Sequence, residues 1–343
     1  MAIQPQNTTK TTEKQVNLSQ QEAILTKQII PSMVLAPSAH NTQPWKFQVS
    51  GNHIDVMVDW GRHLHISDPT HRQLYVSIGC VIENALVAGY FWDYAPSVEY
   101  FPEGRHTTSP VARIIFTKNK VGEKGIAANL FSAIEARRTN RLDYNTEPLT
   151  ATEKNALYTR NNEEVVLVED RDGIEAIAKA SEIATLKTLS RTDFKNELSH
   201  WVRSSWTKEN DGMPGYAMGI PAPLSLISHF MVRFAPIHKQ EGPKTYKQMK
   251  QTSAIAVIAT KGDGPEDWMR AGQLLERVWL EATIEGIAAA PVVAAIEAGE
   301  ETRAQITEVV GEGLYPQSII RLGHAKDVNL RATPRRNIED CLS

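Results

Sequence analysis

Two short runs near the N-terminus have an apolar residue at every second position. Every second position is apolar in residues 45–49 and again in residues 54–58, and the polar triplet Ser50-Gly51-Asn52 separates the runs. A period of two residues is typical of a strand with one buried face, and a Gly-Asn turn joins strands tightly. The pattern predicts a β-hairpin. Shorter apolar runs at 165–168 and 254–259 predict two further strands.

Three longer segments have the helical spacing of apolar residues instead. A helix is predicted from Leu18 to about Leu35, with Asn17 or Ser19 as its N-cap. The segments 74–89 and 268–286 are two more helices, and each is followed by a strand-like run, at 112–116 and 318–322 respectively.

These two later helices share the pattern Val-x-x-x-Ala-x-x-x-Gly. It occurs at positions 81, 85 and 89 and again at positions 278, 282 and 286. Such a repeat is expected if two similar units were fused in one chain. Two unrelated amphipathic core helices would give the same pattern, so the helices alone leave both explanations open.

The polar loop that precedes the hairpin is the main candidate for chemistry. It reads Ala36-Pro-Ser-Ala-His-Asn-Thr-Gln-Pro-Trp-Lys-Phe47 and offers a hydroxyl, two carboxamides and several backbone N–H groups. A carboxamide presents a donor and an acceptor together, which suits a planar heterocycle such as flavin whose edge alternates N–H and C=O groups. The same residues also occur in ordinary turns, so the composition alone leaves the loop's role open.

The string A-P-S-x-x-N-x-Q-P-W-x-F resembles the flavin-contacting loop of the nitroreductase family, FMN proteins in which two subunits build each cofactor site. The resemblance implies that this loop contacts FMN through Pro37, Ser38, Ala39, Asn41 and Gln43.

A second motif of that family lies about a hundred residues later. The segment Arg137-Arg138-Thr139-Asn140-Arg141 resembles the family's R-R-S-x-R, which implies that Arg137, Arg138, Thr139 and Arg141 hold the FMN phosphate. Guanidinium groups suit that role because they bind phosphate through paired, charge-assisted hydrogen bonds. A basic cluster on a solvated surface is the alternative.

The resemblance extends to two more segments. Arg335 and Arg336 stand where the family places further basic phosphate contacts, although terminal Arg pairs also arise by chance. The segment 286–293 corresponds to the family stretch beside the reactive N5 atom of the flavin, which implies contacts from Pro291, Val292 and Val293.

The order of the motifs is reversed relative to a single family subunit, in which the basic motif usually comes first. Tandem duplication explains this order, because the first copy keeps the amide loop and the second keeps the basic motif. The chain therefore resembles the Acg-like tandem FMN-binding proteins, in which a fused pseudodimer holds one flavin under a lid.

The resemblance implies an α+β fold with a polar tail at 1–17, one nitroreductase-like half at 18–130 and the other at 131–343. The expected lid is the segment from about 199 to 251, rich in Trp, Met, Pro and Gly; extra packing helices are the alternative.

Composition narrows the class of protein further. The chain has 343 residues, 41% hydrophobic and 22% charged, which is ordinary for a globular protein large enough for two units. The net charge of −3 gives no reason to expect nucleic acid binding. The longest apolar run, 287–296, is too short to span a bilayer. The two cysteines make no disulfide framework, and this scarcity of cysteine is expected of a cytoplasmic protein. His63 and His65 could begin a metal site, but no third ligand is apparent, so no metal is expected.

Two functions follow from the resemblance. The first is an FMN-dependent oxidoreductase that takes hydride from NADH, NADPH or another donor and passes electrons to a nitroaromatic, quinone or similar acceptor. The flavin carries the hydride chemistry, so no catalytic side chain is expected. The second is a flavin-sequestering protein whose lid excludes nicotinamide. In both cases the chain is expected to act as a monomeric pseudodimer with one FMN and without nucleic acid or membrane partners.

Overall fold

The protein is described by a computed structural model over residues 19–118, 124–158, 163–327 and 330–343. The expected polar tail at 1–17 lies outside these residues. The α+β class is confirmed, because the structure contains two four-stranded antiparallel sheets together with long helices.

The first sheet has the strand order β1-β2-β4-β3. The predicted hairpin is β1 and β2, and its Gly51-Asn52 turn pairs Ser50 with His53. The sequence pattern did not predict β3, whose residues are mostly half-buried. The strands of this sheet are β1 (Trp45–Ser50), β2 (His53–Val58), β3 (Tyr94–Tyr100) and β4 (Ala112–Lys118).

Helices surround this first sheet. The single helix predicted for 18–35 is interrupted, because α2 starts anew with Pro31 in its first turn, where proline needs no backbone donor. Ser19 does cap the first of these helices, in a reciprocal capping box with Glu22. The helices of this part are α1 (Gln20–Gln28), α2 (Ile30–Met33), α3 (Arg72–Phe91) and α4 (Lys124–Ala136).

The second sheet has the order β5-β8-β10-β9. Its central strand β8 is buried along its whole length, which explains its continuous apolar sequence. The strands are β5 (Val165–Val168), β8 (Ala254–Thr260), β9 (Ala288–Pro291) and β10 (Tyr315–Gly323). The helices are α5 (Ala151–Tyr158), α6 (Arg171–Ser190), α7 (Thr192–Trp201), α8 (Ala222–Ser225), α9 (Ser228–Phe234), α10 (His238–Lys250), α11 (Pro265–Ile284), α12 (Ala294–Glu297), α13 (Glu300–Val310) and α14 (Ile338–Cys341).

The two sheets have the same arrangement in chain order. In each, the first two strands pair, the fourth joins the second, and the third lies at the edge; in each, a long helix follows the second strand. That helix is α3 in the part of the chain that builds the first sheet, called the first half here. It is α11 in the part that builds the second sheet, called the second half. The main difference is an insertion at 169–253 between β5 and β8, where the first half has only the turn Gly51-Asn52.

The insertion contains the segment expected to form a lid. Most of it is helical, and α10 packs against α6 as part of the second core. A short parallel pair, β6 (Val202–Arg203) with β7 (Met213–Pro214), holds the irregular stretch between them. Packing helices, the alternative to a lid, therefore account for part of this segment.

Helices α3 and α11 form the largest contact between helices and join the two halves. They cross at Gly79 and Gly272, where a Cβ atom on Gly79 would lie 2.0 Å from the carbonyl oxygen of Met269 and one on Gly272 would lie 2.0 Å from that of Val76. The two contacts are equivalent under a shift of 193 residues, which relates Gly79 to Gly272 and Val76 to Met269. The Val-Ala-Gly pattern of the sequence instead aligns positions 197 residues apart. The alignment given by the packing therefore differs from the sequence alignment by four residues, or about one helical turn.

Helix α3 is also the one described helix with the length and hydropathy of a membrane span. Most of that apolar window is buried inside the fold, against α11 and the first sheet.

Replacing Gly79 with Ala should destabilise the protein although alanine has the higher helix propensity. The added methyl group meets backbone on α11, which cannot rotate away, so we expect a loss of at least about 3 kcal/mol, the upper end of typical overpacking costs. Urea unfolding followed by circular dichroism measures it. Gly61→Ala, where the new Cβ has only an ordinary contact at 3.6 Å, is the control. Equal midpoints for the two variants would contradict the close crossing.

Candidate functional site

Two adjoining cavities lie where the two halves meet. One, of about 430 Å³, has Val76, Trp279 and Phe194 on its walls and is called the apolar cavity here. The other, of about 480 Å³, is the arginine cavity, lined by Arg137, Arg138, Arg141, Arg331 and Arg335. The cavities share five lining residues, so they form one elongated space with a mainly apolar end and a cationic end. The shared residues are Pro37, Ser38, His40, Thr139 and Arg141.

Among the described residues, no carboxylate forms an ion pair with Arg138, Arg141, Arg331 or Arg335. Arg138 donates to the carbonyl oxygens of Leu330, Glu135 and Arg137, and Arg141 donates to that of Ala217. Arg335 donates to the side chain of Asn41 and to nearby carbonyl groups.

The cationic forms of these side chains are disfavoured. Burial, together with the charge of Arg137, lowers the pKa of Arg335 to about 9. Burial also lowers the pKa of Arg138 and of Arg141. Arg138 and Arg335 are half-buried and Arg141 is exposed, and a partly desolvated guanidinium group without a carboxylate partner favours a bound anion.

Arg137 is held differently from the other arginines. Its Nε atom lies 3.2 Å from the buried carboxylate of Glu276, and its guanidinium lies over the Trp279 ring at 4.3 Å from the ring centre. One of its Nη atoms donates to the carbonyl oxygen of Leu35. Arg137 is therefore fixed in orientation by three partners and contributes less unpaired charge than its neighbours.

Arg336 occupies a different place from the one the sequence motif implied. It lines neither cavity: its guanidinium donates to the carbonyl oxygens of Gln43 and Trp45 and lies 3.3 Å from Asp59. Its neighbour Arg335 points into the arginine cavity instead. Arg336 thus ties the C-terminal segment to the start of the hairpin and is not available to a phosphate.

The loop before the hairpin lines both cavities through Pro37, Ser38 and His40, with Ala39 on the apolar cavity and Asn41 on the arginine cavity. Its backbone is constrained, since His40, Asn41 and Gln43 are three of the six non-glycine residues with positive φ in the described part of the chain. Such strain persists only where surrounding contacts enforce it, and it is concentrated at functional sites.

Both predicted carboxamides make bonds within the protein. The Asn41 amide donates to the carbonyl oxygens of Gly212 and Pro334, at 3.0 Å each, and its oxygen accepts from Arg335. Gln43 is fully buried, lines neither cavity, donates to Asn210 and accepts from the backbone N–H of Arg336. In this structure the two carboxamides fasten three chain segments together, and Asn41 also lines the arginine cavity, so their contact with a ring edge stays a prediction.

The three predicted site residues at and just after the end of β9 do not all face the cavity. Pro291 and Val293 line the apolar cavity, whereas the N–H of Val292 donates to Ile319 in the sheet and its side chain packs on the second core. A strand residue alternates its direction with each position, which places 291 and 293 on the cavity side and 292 on the other.

His40 belongs to the site but was not predicted. It stands in a variable position of the motif, lines both cavities, and contacts the Phe194 ring edge-on. Burial lowers the pKa of His40 to about 4, so the ring is neutral at physiological pH. Nothing in the local sequence distinguishes it; its place follows from the backbone at φ 49°.

Different segments cover the two cavities. Met213, Tyr216 and Ala217 line the arginine cavity from within the expected lid, and Gly212 is clasped by Asn41 in both directions. The apolar cavity is covered instead by Phe194 and other residues of 185–198, which precede the expected lid boundary.

A carboxylate fastens this second cover. Glu197 on α7 accepts hydrogen bonds from the backbone N–H groups of Ile66 and Ser67, at 2.9 and 2.8 Å, and from the Ser67 hydroxyl. Ile66 and Ser67 line the opposite wall of the apolar cavity. Glu197 therefore bridges the two sides of its opening, and is called the Glu197 latch below.

The histidines considered for a metal site pair with each other. The Nδ1 atoms of His63 and His65 lie 3.1 Å apart, and the ring of His71 packs against that of His63. Burial and these neighbouring rings lower the pKa of His63. Over the described ranges, no group of three or more His, Cys, Asp or Glu residues has the geometry to hold a metal ion.

Comparison with known proteins gives relatives over nearly the whole chain, although no family model matches. A Mycobacterium tuberculosis protein provisionally named an NAD(P)H nitroreductase is 26% identical over 324 residues, which is 92% of this chain and 90% of that protein. Another from the same organism, provisionally named NAD(P)H nitroreductase acg, is 25% identical over 328 residues, 93% of this chain and 96% of that one. The resemblance to Acg-like proteins drawn from the motifs is confirmed at this level.

Solved structures with a related arrangement include flavoproteins. The FMN-dependent nitroreductase NfnB from Mycobacterium smegmatis, in complex with NADPH, matches 63% of this chain and 97% of its own with a TM-score of 0.41 and 14% identity. A nitroreductase with bound FMN from Bacteroides fragilis matches 59% of this chain and 92% of its own, with a TM-score of 0.36 and 16% identity.

Replacing Asn41 with Ala should loosen the cover of the arginine cavity. The change leaves the carbonyl oxygen of Gly212 without its side-chain donor and removes one of the two donors to that of Pro334, the other being Arg335. We therefore expect a loss of about 1–3 kcal/mol in stability and faster tryptic cleavage after the exposed Lys208. Urea unfolding and limited proteolysis with mass spectrometry measure these. Asn52→Ala, at the exposed hairpin turn, is the control. Unchanged cleavage would show that Asn41 does not hold the segment.

Proposed function

We propose that this chain is an FMN-binding oxidoreductase of the nitroreductase type that holds one FMN in the two joined cavities. The phosphate is bound among Arg137, Arg138, Arg141 and Arg335, and the isoalloxazine ring occupies the apolar cavity. FMN supplies hydride and electron transfer when bound. The donor is a reduced nicotinamide nucleotide, and the acceptor is a nitroaromatic, quinone or similar conjugated molecule.

The observation that carries this proposal is the shape and charge of the joined space. A group of arginines without carboxylate partners requires an anion, while the walls at the other end are Val76, Leu275 and Trp279. A ligand with a dianionic phosphate at one end and a large planar ring at the other satisfies both ends. The names of the relatives support the same assignment.

The two halves of the chain are proposed to be a tandem duplication. The equivalent strand orders, the equivalent long helices and the close crossing of α3 and α11 support this origin. The site combines the loop at 37–41 from the first half with 137–141 and 291–293 from the second. One complete set of these segments is present, so we propose one flavin for each chain, in a pseudodimeric monomer of the cytoplasm. The proposed halves are 18–130 and 131–343.

The protein's own residues position the ligand and exclude water. Arg137 is pre-oriented by Glu276 and Trp279, so little side-chain freedom is lost when it binds an anion. Neutral His40 adds no charge at the junction of the cavities. Pro291 and Val293 form the wall on which the reactive edge of the ring is proposed to lie.

A second function, flavin sequestration, is favoured by one observation. The Glu197 latch closes the apolar cavity with charge-assisted bonds to the main chain, and such a cover would keep nicotinamide away from a bound ring. An enzyme needs that cover to open during turnover, whereas a storage protein needs it closed.

The purified protein should contain one FMN per chain, and Arg138→Met should weaken its binding. Loss of one charge-assisted contact to phosphate costs about 1.5–3 kcal/mol, or roughly ten- to a hundredfold in affinity, while riboflavin, which lacks phosphate, should be affected little. Flavin extraction gives the ratio, and quenching of flavin fluorescence gives the affinities.

Arg233→Met, which removes an exposed arginine far from both cavities, is the matched control. Two flavins per chain, or none after reconstitution, would contradict the single site. Equal weakening of FMN and riboflavin by Arg138→Met would contradict the phosphate assignment alone.

Glu197→Gln should decide between turnover and sequestration. The amide cannot accept from both Ile66 and Ser67 as the carboxylate does, so the cover opens more often and NADPH should reduce the flavin faster. Anaerobic stopped-flow absorbance measures the rate, and Glu182→Gln on the neighbouring α6 is the control. Slow reduction of the unmodified protein with a marked gain in the variant supports sequestration. Fast reduction of both supports an ordinary reductase, and slow reduction of both contradicts the latch as the gate.

A further inference from the structure

Two carboxyl groups on the wall of the apolar cavity have no part in the flavin site described above. Asp68 comes from the loop before α3 and Glu297 from the end of α12, so each half of the chain supplies one. They are the acidic side chains among the described residues that line this cavity. Burying two carboxyl groups in mainly apolar surroundings is costly unless polar partners or protons compensate for the lost water.

Adjacent residues in the first turn of α3 hold the pair. The Gln73 side chain donates to Oε1 of Glu297 at 3.0 Å, and the backbone N–H of Leu74 donates to Oδ2 of Asp68 at 2.8 Å. The other Asp68 oxygen, Oδ1, has no hydrogen-bond partner among the described residues, although only 2% of Asp68 is exposed. Asp68 lines the cavity, and a buried carboxyl oxygen without a partner is costly, so a small movement that brings this group to a ligand would be favoured.

The charges that face the pair do not neutralise both members. Arg72 lies 3.9 Å from Glu297 but is shared with Asp263, which Arg303 binds more closely at 2.6 Å. Lys187 on α6 and Arg191 line the same cavity, and Arg191 pairs with Asp193. His63 and His71 bond to the main-chain carbonyl of Asp68 and not to its carboxyl group.

One proton is therefore retained near neutral pH. Burial, with the charge of Glu297 second, raises the pKa of Asp68 to about 7, and burial raises the pKa of Glu297. Two carboxyl groups facing one cavity cannot both ionise at low cost. A neutral carboxyl group donates one O–H hydrogen bond, which a carboxylate cannot do.

We propose that Asp68, with Glu297 beside it, donates a hydrogen bond to a carbonyl or nitro oxygen of a planar acceptor that shares the apolar cavity with the flavin ring. This rests on the proposed function, since it names the contact that selects the acceptor in that cavity. Acceptors with an exposed oxygen at one end would be preferred over apolar aromatics of the same size. The preference would be lost as Asp68 ionises, because a carboxylate repels that oxygen.

Binding of nitrobenzene to the oxidised protein, without any reductant, tests the contact. Isothermal titration calorimetry should show about five- to tenfold weaker binding at pH 8.5 than at pH 6, the value of one hydrogen bond. Toluene, which lacks the oxygen, should bind with no such change. In Asp68→Asn the amide still accepts from Leu74 and donates at every pH, so nitrobenzene binding should persist and its pH dependence should disappear.

The pKa of Asp68 can also be measured in the unmodified protein, so the test does not depend on whether Asp68→Asn folds. Carbon-13 NMR of protein labelled at aspartate carboxyl carbons should show one resonance that titrates near pH 7 and is absent in Asp68→Asn. A value near 4, or pH-independent binding of nitrobenzene by the unmodified protein, would overturn the proposal. Neither measurement requires turnover, so absence of FMN or of reductase activity would contradict the proposed function separately.

Discussion

The close crossing of α3 and α11 at Gly79 and Gly272 is the contact on which the rest of the structure depends. With each backbone carbonyl at the place where a Cβ would stand, the two helices approach more closely than side chains would permit. The loop ahead of α3 and the segment after α11 are consequently brought to the same space. The apolar cavity lies beside this crossing, with Val76 of α3 and Leu275 of α11 in its wall.

The same junction determines the electrostatics of the site. Arg137 follows α4, which packs against both long helices, and Arg335 from the C-terminal segment donates to the same carbonyl oxygen, that of Leu35, as Arg137 does. Glu276 of α11 lies 3.2 Å from Arg137, although burial raises the pKa of Glu276 to about 7, and Arg138 and Arg141 donate to carbonyl oxygens. An anion is therefore favoured at this end and a neutral planar group at the other.

Access to the two ends is controlled separately. The stretch at 212–219 lies over the arginine cavity and is fastened by Asn41, whereas the apolar cavity is closed by α7 through Glu197. The first cover can retain a phosphate while the second opens to another ligand. Under the proposed function, that separation would suit either an enzyme that keeps its cofactor between turnovers or a protein that stores it, depending on how often the Glu197 latch opens.

The sequence by itself determined the hairpin, the two long helices and the segments that form the site, because these depend on local periodicity and on residue types such as adjacent arginines. It placed Arg137, Arg138, Arg141 and Arg335 near one another only through family resemblance. The tertiary structure alone decided that Gln43 and Arg336 bond to each other's segments, that Val292 turns away from the cavity, and that His40, Asp68 and Glu297 line it. Those roles depend on which buried donor meets which acceptor across residues far apart in the chain, and no local pattern records such pairings.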